Sequence, residues 1–191
     1  VSNTGLALHR LGVDTRLVGK LGADYYGEIV RMMYRAKGED LLDDLIISQE
    51  DDTSYTLIIN PRGVDRIFLH NPGANATFSA ADLKLETVKK AGFFHYGYPP
   101  LMAKLCANRG KELIEMYRKV KTLGLTTSLD LAFPDASIHE DWSWIFSDLL
   151  PYVDIFMPSL EELLYMLDRP KYFALNKAAD GKDLTRVVDI E

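Results

Sequence analysis

Residues 53–78, TSYTLIINPRGVDRIFLHNPGANATF, carry the strongest fold signal in the chain. Two runs rich in Ile, Leu, Tyr and Thr flank the tight connection NPRG at residues 60–63, a pattern that predicts a β-hairpin. The second run ends at Gly73, Ala74 and Asn75, where backbone amides can approach a ligand closely and the Asn adds a donor and an acceptor. This loop predicts the floor of a pocket, with a plain glycine turn before a helix as the alternative.

The composition is that of a soluble globular protein with a net negative charge. The chain has 191 residues, enough for one domain with a buried core, and 47% of them are hydrophobic. With 28 acidic and 22 basic side chains the net charge is -6, which argues against a general nucleic-acid-binding surface. No apolar run reaches the roughly 18 residues of a membrane span. We therefore expect no nucleic-acid or membrane partner and favour a small ligand.

Cysteine usage and the chain ends bear on location and completeness. The single cysteine, Cys106, cannot form an internal disulfide, and no Cys and His spacing is typical of a metal cluster. We therefore expect a reducing, cytoplasmic location. The chain opens without Met inside a helical pattern and closes just after an apolar run, so we expect a fragment with material lost from both sides.

Strands alternate with helices along the chain. Predicted strands, beside the hairpin, cover residues 15–20, 45–48, 93–97, 126–131 and 153–157. Predicted helices cover residues 2–11, 25–36, 79–92, 102–123, 142–150 and 160–167, with Asp24 and Ser159 as caps. This alternation predicts an α/β fold with a mainly parallel sheet between two helical layers, and the hairpin as an edge or small flap within residues 44–70. Ligands then bind outside the carboxyl ends of the strands, at loops 73–75, 97–100, 130–135 and 158–162.

Two further patterns are weak candidates for a binding site. Gly22 and Gly27 have the spacing of a phosphate loop, but Glu28 stands where such a loop needs Lys, so we reject that interpretation. The acidic run of Glu50, Asp51 and Asp52 predicts a solvated turn, with a metal site as the less favoured alternative.

Four segments, in order along the chain, resemble the ribokinase-like sugar and nucleoside kinases, also called the PfkB family. The segment NTGLALHRLG, residues 3–12, resembles the helix that follows the family's substrate-binding glycine pair. LGADYYG, residues 21–27, resembles its glycine, acid, glycine signature, and NPGAN, residues 71–75, its strand-end glycine loop. VDIFMPSLEELLYML, residues 153–167, resembles its late strand and acidic helix start. Residues 1–191 are thus identified as part of a ribokinase-like domain with Rossmann-like topology, lacking the N-terminal strand and the C-terminal catalytic part.

The resemblance implies ATP-dependent phosphorylation of a hydroxyl group on a sugar or sugar-like molecule, with Mg²⁺ present. In such chemistry the protein mainly positions the reactants and stabilises spread charge. The matching positions imply five substrate-binding residues: Asn3, Gly73, Ala74, Asn75 and Tyr98. An exposed surface Asn and simple packing of the Tyr are the alternatives for the first and the last of these.

The late segment implies the nucleotide and metal contacts. Glu162 matches the acid that helps hold magnesium and phosphate, whereas Ser159 replaces the family's Asn and keeps only a capping hydroxyl. Without the resemblance, Glu161 and Glu162 are simply acids that suit the helix dipole. Asp130 ends a strand where many relatives carry an acid, and its role stays open.

One family element does not occur in the sequence. In the family, the catalytic base is an Asp within a Gly-Ala-Gly-Asp stretch at a helix start. This chain contains no such stretch. We therefore expect no turnover by this polypeptide alone. A non-catalytic sugar-binding module is the alternative, whereas an oxidoreductase would need a Gly-x-Gly-x-x-Gly turn, which is missing. The family's flap strands imply a possible homodimer, for which the strand at residues 45–48 and the hairpin could provide the edge. The identity of the sugar or nucleoside stays open.

Overall fold

The structure is a computed structural model, and it describes residues 2–62, 67–134, 141–180, 184 and 187. The chain forms two compact units. The first extends through Leu83 and includes Leu101–Leu105, and the second contains Lys84–Pro100 and continues from Cys106. Within the described ranges, no helix is both long enough and apolar enough to span a membrane.

Within its described residues the first unit contains three whole α-helices and four strands. They are α1 (Ser2–Arg10), β1 (Gly19–Gly22), α2 (Tyr25–Arg35), β2 (Leu45–Ser48), β3 (Tyr55–Ile59), β4 (Ile67–Asn71) and α3 (Ala74–Thr77). β1 pairs with β2 in parallel, and β3 pairs with β4 antiparallel, with Tyr55 opposite Asn71. The predicted hairpin is therefore confirmed, although its role as a flap stays a prediction. Gly63, at the end of the predicted connection, lies outside the described residues.

A small apolar cluster holds the first unit together. Leu17, Tyr34 and Leu41 are buried, and Leu6, Val30, Leu42 and Leu45 pack around them. The hydroxyl groups of Ser2 and Tyr34 lie 2.5 Å apart, so the buried phenol has a polar partner. This cluster joins α1 and α2 to the start of β2, because each of them contributes an apolar side chain to it.

The second unit contains the remaining strands and helices. They are α4 (Leu85–Val88), β5 (Phe93–Tyr96), most of α5 (Ala103–Thr122), β6 (Thr126–Asp130), β7 (Ile155–Met157), α6 (Leu160–Leu167) and α7 (Arg169–Ala178). The three strands form a parallel sheet in the order β5-β6-β7. Five of the seven described strands thus lie in parallel pairs, which confirms the predicted mainly parallel pairing.

Buried apolar and polar groups both fix this second sheet. Tyr117 of α5 is fully buried, and its hydroxyl donates to the carbonyl oxygen of Ser128 on β6 at 2.8 Å. Asp154, just before β7, accepts from the Thr127 amide at 2.8 Å and from the Lys121 ammonium at 2.7 Å. Asp154 therefore ties the entry of β7 both to β6 and to the end of α5.

The first strand differs from its prediction. Residues 15–20 were expected to be a strand that ends before Gly22, but β1 covers Gly19–Gly22. The reason is tertiary, because β1 pairs with β2 as far as Gly22 and Ser48. A side chain at Gly22 would contact the carbonyl oxygen of Asp51 and lie 2.6 Å from the Thr53 amide, so the strand runs directly under that backbone.

Three predicted helices are wrong in extent. The helix at residues 79–92 is instead a short 3₁₀ turn, Ala80–Asp82, and the separate α4, because Leu83 between them is extended and buried. α5 is broken at residues 107–110, where Gly110 lies against the indole ring of Trp144. The helix at residues 142–150 is mainly a π-helical turn, Ile145–Leu149. The break in α5 depends on a contact between residues far apart in sequence, which its helical pattern does not display.

Candidate functional site

The 73–75 loop follows β4, includes the first two residues of α3, and contacts an earlier segment of the chain. Gly73 has a φ of +44°, and a side chain there would contact the Asp52 carbonyl and lie 2.8 Å from the Ser54 amide. Ala74 is fully buried, and its amide donates to the Asp52 carbonyl at 2.8 Å. Only glycine fits the close approach at position 73 without strain. The loop is therefore held against residues 51–54, which we call the 51–54 segment.

Asn75 is tied to the same segment by its side chain. Its Nδ2 atom donates to the Ser54 hydroxyl at 2.9 Å, and the residue is partly buried. An Asn side chain has two N–H donors and an acceptor oxygen, so this bond fixes the carboxamide without using its whole hydrogen-bonding capacity. The predicted substrate residues Gly73, Ala74 and Asn75 thus lie in one loop that hydrogen bonds connect to the 51–54 segment.

Asp24 also holds the 51–54 segment in place, through hydrogen bonds to Thr53. Its carboxylate accepts from the Gly27 amide at 2.8 Å, which confirms the predicted cap of α2. It also accepts from the Thr53 amide at 2.7 Å and from the Thr53 hydroxyl at 2.8 Å. These hydrogen bonds, first of all the one from the Thr53 amide, lower the pKa of Asp24. The glycine, acid, glycine signature therefore supports the loop indirectly, a link that sequence reasoning missed.

Asp51 is not the solvated turn residue that the sequence predicts. Its Oδ2 atom lies 2.8 Å from the Lys20 ammonium and accepts from the Ser48 hydroxyl at 2.7 Å. These hydrogen bonds lower the pKa of Asp51 to about 2. The difference from the prediction arises because β1 brings Lys20 next to Asp51, a contact that no local pattern in the acidic run predicts.

Asn3 lies on α1 and is exposed. Two residues further along the helix, Gly5 is buried against the side chain of Leu17. The contact at Gly5 fixes the helix close to the core of the first unit, and Asn3 lies on a turn that solvent or a ligand can reach. Its assignment to substrate binding stays a prediction.

The second unit brings three predicted loops together at the carboxyl ends of adjacent parallel strands. Tyr98 follows β5, Asp130 ends β6, and Glu162 follows β7 in the first turn of α6. A side chain at Gly97 would lie 3.1 Å from the Asp130 Cβ atom, so the β5 exit runs beside Asp130. Burial raises the pKa of the Tyr98 phenol, and the negative charges of Asp130 and Glu162 raise it further. The phenol therefore stays protonated and able to donate a hydrogen bond.

Ser159 and Glu162 form a reciprocal capping box at the start of α6. The Ser159 amide donates to the Glu162 carboxylate at 2.7 Å, and the Glu162 amide donates to the Ser159 hydroxyl at 3.2 Å. The predicted cap is confirmed. The bond uses one carboxylate oxygen, Oε2, and a carboxylate has lone pairs for further partners.

Carboxylate oxygens suit Mg²⁺, which prefers hard oxygen ligands. In the part of the chain that the structure describes, no three Cys, His, Asp or Glu side chains cluster into a metal cage. Magnesium at phosphoryl-transfer sites needs no such cage, because one or two carboxylates and the substrate phosphates hold it. The residues near Glu162 therefore fit the ion, and the metal role of Glu162 stays a prediction.

Comparison with known proteins identifies the family. The family model for pfkB family carbohydrate kinases matches residues 2–188. The chain belongs to the pfkB family of carbohydrate kinases. Fructokinase-1 of Zea mays is 28% identical to this pfkB chain over 125 residues, which are 64% of the chain and 38% of the maize protein. An uncharacterized sugar kinase of Archaeoglobus fulgidus is 24% identical over 158 residues, 83% of this chain and 59% of that protein.

Solved structures confirm the pfkB fold. A fructokinase from Xylella fastidiosa matches with a TM-score of 0.72 at 21% identity, covering 92% of this chain and 55% of that one. A second structure of fructokinase from that organism, with bound ATP, also gives 0.72, at 22% identity, covering 92% of this chain and 54% of that one. The predicted three-layer α/β fold is therefore confirmed. The pfkB chain spans only part of the length of these relatives.

Proposed function

We propose that this protein transfers the γ-phosphoryl group of ATP to a hydroxyl group of a sugar or a sugar-like molecule. The observation that carries the proposal is the pfkB family match, which extends over residues 2–188. The hydrogen-bonded 73–75 loop, which follows β4, and the groups at the ends of β5, β6 and β7 support it, since strand ends are where α/β sheets bind ligands.

In this proposal the first unit contributes sugar contacts. The 73–75 loop offers a carboxamide at Asn75 and a backbone that can approach a ligand closely, and Asn3 offers a second carboxamide. A carboxamide donates and accepts at once, so it can bind the hydroxyl groups of a polyol in both senses. Tyr98, in the second unit, is proposed separately as a substrate-binding residue: its phenol is protonated at neutral pH, as tyrosines are, and its raised pKa extends that state to higher pH.

Also in this proposal, Ser159 and Glu162 contribute to the binding of ATP and Mg²⁺. The bound ion would neutralise charge that develops on the phosphates, as it does generally in phosphoryl transfer. The capping box fixes the Glu162 carboxylate through the Ser159 amide, at 2.7 Å, and so orients a metal-binding group on a helix rather than on a loop.

We also propose that the 191 residues do not turn over alone, because they contain no Gly-Ala-Gly-Asp stretch to supply a base. The same observation, together with Ser159 in place of the family's Asn, favours one alternative, a protein that binds a sugar without phosphorylating it. The cytoplasmic location stays a prediction.

A homodimer through the hairpin is a further proposal about assembly. The apolar residues of β3 and β4 are largely exposed, among them Leu57 at 56% and Leu69 at 52%. Two exposed apolar strands are a surface that proteins normally cover. A second copy of the chain would cover it symmetrically.

The decisive experiment is a coupled ADP-release assay on the protein expressed from its whole gene. With ATP and Mg²⁺, we expect turnover with at least one member of a panel of hexoses, pentoses and nucleosides, starting with fructose. The 191-residue chain assayed in parallel should show none. Sugar-dependent thermal stabilisation without ADP release across the panel would instead establish the non-catalytic alternative.

A further inference from the structure

Lys20 and Asp51 form an ion pair that is largely shielded from solvent. Their side chains are 15% and 14% exposed and lie 2.8 Å apart. Nine other ion pairs between described residues each have at least one partner that is 41% exposed or more. Removing two charges from water is costly unless further hydrogen bonds satisfy them. The further hydrogen bonds of Lys20 and Asp51 therefore indicate which part of the chain the pair holds in place.

The hydrogen bonds of this pair belong to a closed ring of contacts that passes through Ala74 of the 73–75 loop. The Lys20 ammonium donates to the Thr77 hydroxyl at 2.8 Å, and that hydroxyl donates to the Ala74 carbonyl at 3.3 Å. The Ala74 amide donates to the carbonyl of Asp52, which is bonded to Asp51, at 2.8 Å. The ion pair between the Asp51 carboxylate and the Lys20 ammonium closes the ring. A threonine hydroxyl can donate and accept at once, so the Thr77 hydroxyl can make both of its hydrogen bonds in the ring.

We propose that Lys20 is a positioning residue, which locks the 73–75 loop in its ligand-binding shape through Thr77 and Asp51. Lys20 lies on β1, a strand paired with β2, so the ring fastens the loop to a rigid element of the sheet. Neither Lys20 nor Asp51 needs to touch the sugar for this role. The effect on sugar binding rests on the proposed kinase function, whereas the locking of the loop does not.

The competing explanation is that the ion pair only stabilises the first unit. The two explanations differ in where a substitution acts. A general loss of stability loosens the whole unit, whereas a lost lock loosens residues 73–77 first. A loop that binds the sugar equally in the ground state and in the transition state should affect KM more than kcat.

The test uses the protein expressed from its whole gene, with Lys20→Met and Thr77→Ala as the disrupting variants. Thr77→Ser keeps the hydroxyl and serves as the conservative variant. Arg16→Met is the matched control, because it removes an exposed ion pair, Arg16 with Asp43 at 2.6 Å, from the same unit. Hydrogen exchange of the backbone amides, resolved by peptide, and the steady-state constants for the best sugar of the panel are measured for each.

We expect amide exchange at residues 73–77 to rise about tenfold or more in Lys20→Met and Thr77→Ala, with α2 unchanged. KM for the sugar should rise about tenfold while kcat changes less than about threefold. Thr77→Ser and Arg16→Met should match the wild type in both readouts. If Lys20→Met does not fold, Thr77→Ala carries the test.

Unchanged exchange at residues 73–77, or an equal rise throughout the first unit, would overturn the proposal. A loosened loop with an unchanged KM would overturn it too, since the loop would then not position the substrate. If the wild type phosphorylates no sugar, the kinase function fails, and the exchange comparison still decides whether Lys20 locks the loop.

Discussion

The carboxylate of Asp24 accepts hydrogen bonds from both the backbone amide and the hydroxyl group of Thr53, at 2.7 and 2.8 Å. The same carboxylate caps α2 through the Gly27 amide at 2.8 Å. One side chain therefore joins the start of a helix to the segment that supports the 73–75 loop. Thr53 itself is buried, so its amide has lost contact with water and depends on this partner.

Replacement of Asp24 should destabilise the protein more than loss of an ordinary helix cap. Asp24→Ala removes the cap and leaves the buried Thr53 amide without its acceptor, which should cost about 1–3 kcal/mol in the free energy of unfolding. For a chain of this size the melting temperature should fall by several degrees. Differential scanning calorimetry measures it, with Asp24→Asn as a milder variant that keeps an acceptor oxygen. A melting temperature equal to the wild-type value would contradict the role of Asp24.

Acid should weaken the first unit through Asp51. The pKa of Asp51 is lowered to about 2 in the folded protein, from a usual value of 3.8, so the unfolded state binds the proton more readily. Its contribution to stability is therefore complete above about pH 4 and disappears as the pH falls through about 2. Urea denaturation from pH 5 to pH 2 should show a steeper loss of stability for the wild type than for Asp51→Asn. Equal slopes would show that the Lys20 pair contributes nothing to folding.

Gly73 should tolerate no side chain. Gly73→Ala places a Cβ atom against the Asp52 carbonyl at a φ of +44°, and so should destabilise the protein by about 1–3 kcal/mol and raise KM for the sugar. Gly12→Ala is the matched control, because Gly12 has a φ of +84° with open space around it. The control should lose stability through its backbone angle and keep the wild-type KM. A wild-type KM for Gly73→Ala would place the substrate elsewhere.

A substitution at Glu162 should separate its capping role from the metal role proposed for it. Glu162→Gln keeps an oxygen that can accept from the Ser159 amide, so the melting temperature should change little. The amide loses the negative charge that favours Mg²⁺, so the Mg²⁺ concentration for half-maximal activity should rise about tenfold. Glu161→Gln, one position earlier in the same helical turn, is the control and should leave the Mg²⁺ dependence unchanged. If both variants behave alike, Glu162 is not a metal ligand.

The hairpin should determine whether the protein is a dimer. Leu57 lies opposite Leu69, and Ile59 opposite Ile67, so these four side chains lie on one face of the two-stranded sheet. The double variant Leu57→Lys with Leu69→Lys should shift the protein from dimer to monomer in sedimentation velocity. Ile58→Lys is the control, since its side chain lies on the opposite face. A wild type that sediments as a monomer at working concentration would end the dimer proposal.

Several parts of the candidate site follow from short patterns. Asp24 and Ser159 were recognisable as caps because a capping side chain bonds to an amide only three residues ahead. Gly73 was recognisable because a glycine at a strand end predicts a close backbone approach. The hairpin was recognisable from two β-rich runs around a turn. Each signal lies within a few residues, so the chain itself displays it.

The rest depended on contacts between distant positions. Lys20 and Thr77 are 57 residues apart, and Asp24 and Thr53 are 29 apart, so no periodicity or local motif predicts either bond. The break in α5 was missed for the same reason, because its helical pattern is continuous and the cause is the Trp144 ring against Gly110.

By itself the sequence determined the strand and helix alternation, the caps, the hairpin and the family, because propensity, turn chemistry and motifs act over a few residues. Only the tertiary structure decided how the 73–75 loop is held, which acids pair with which partners, and where α5 breaks. The physical reason is that an ion pair or a buried contact depends on the distance between two groups in space. Strand pairing sets that distance, and the order of residues along the chain does not.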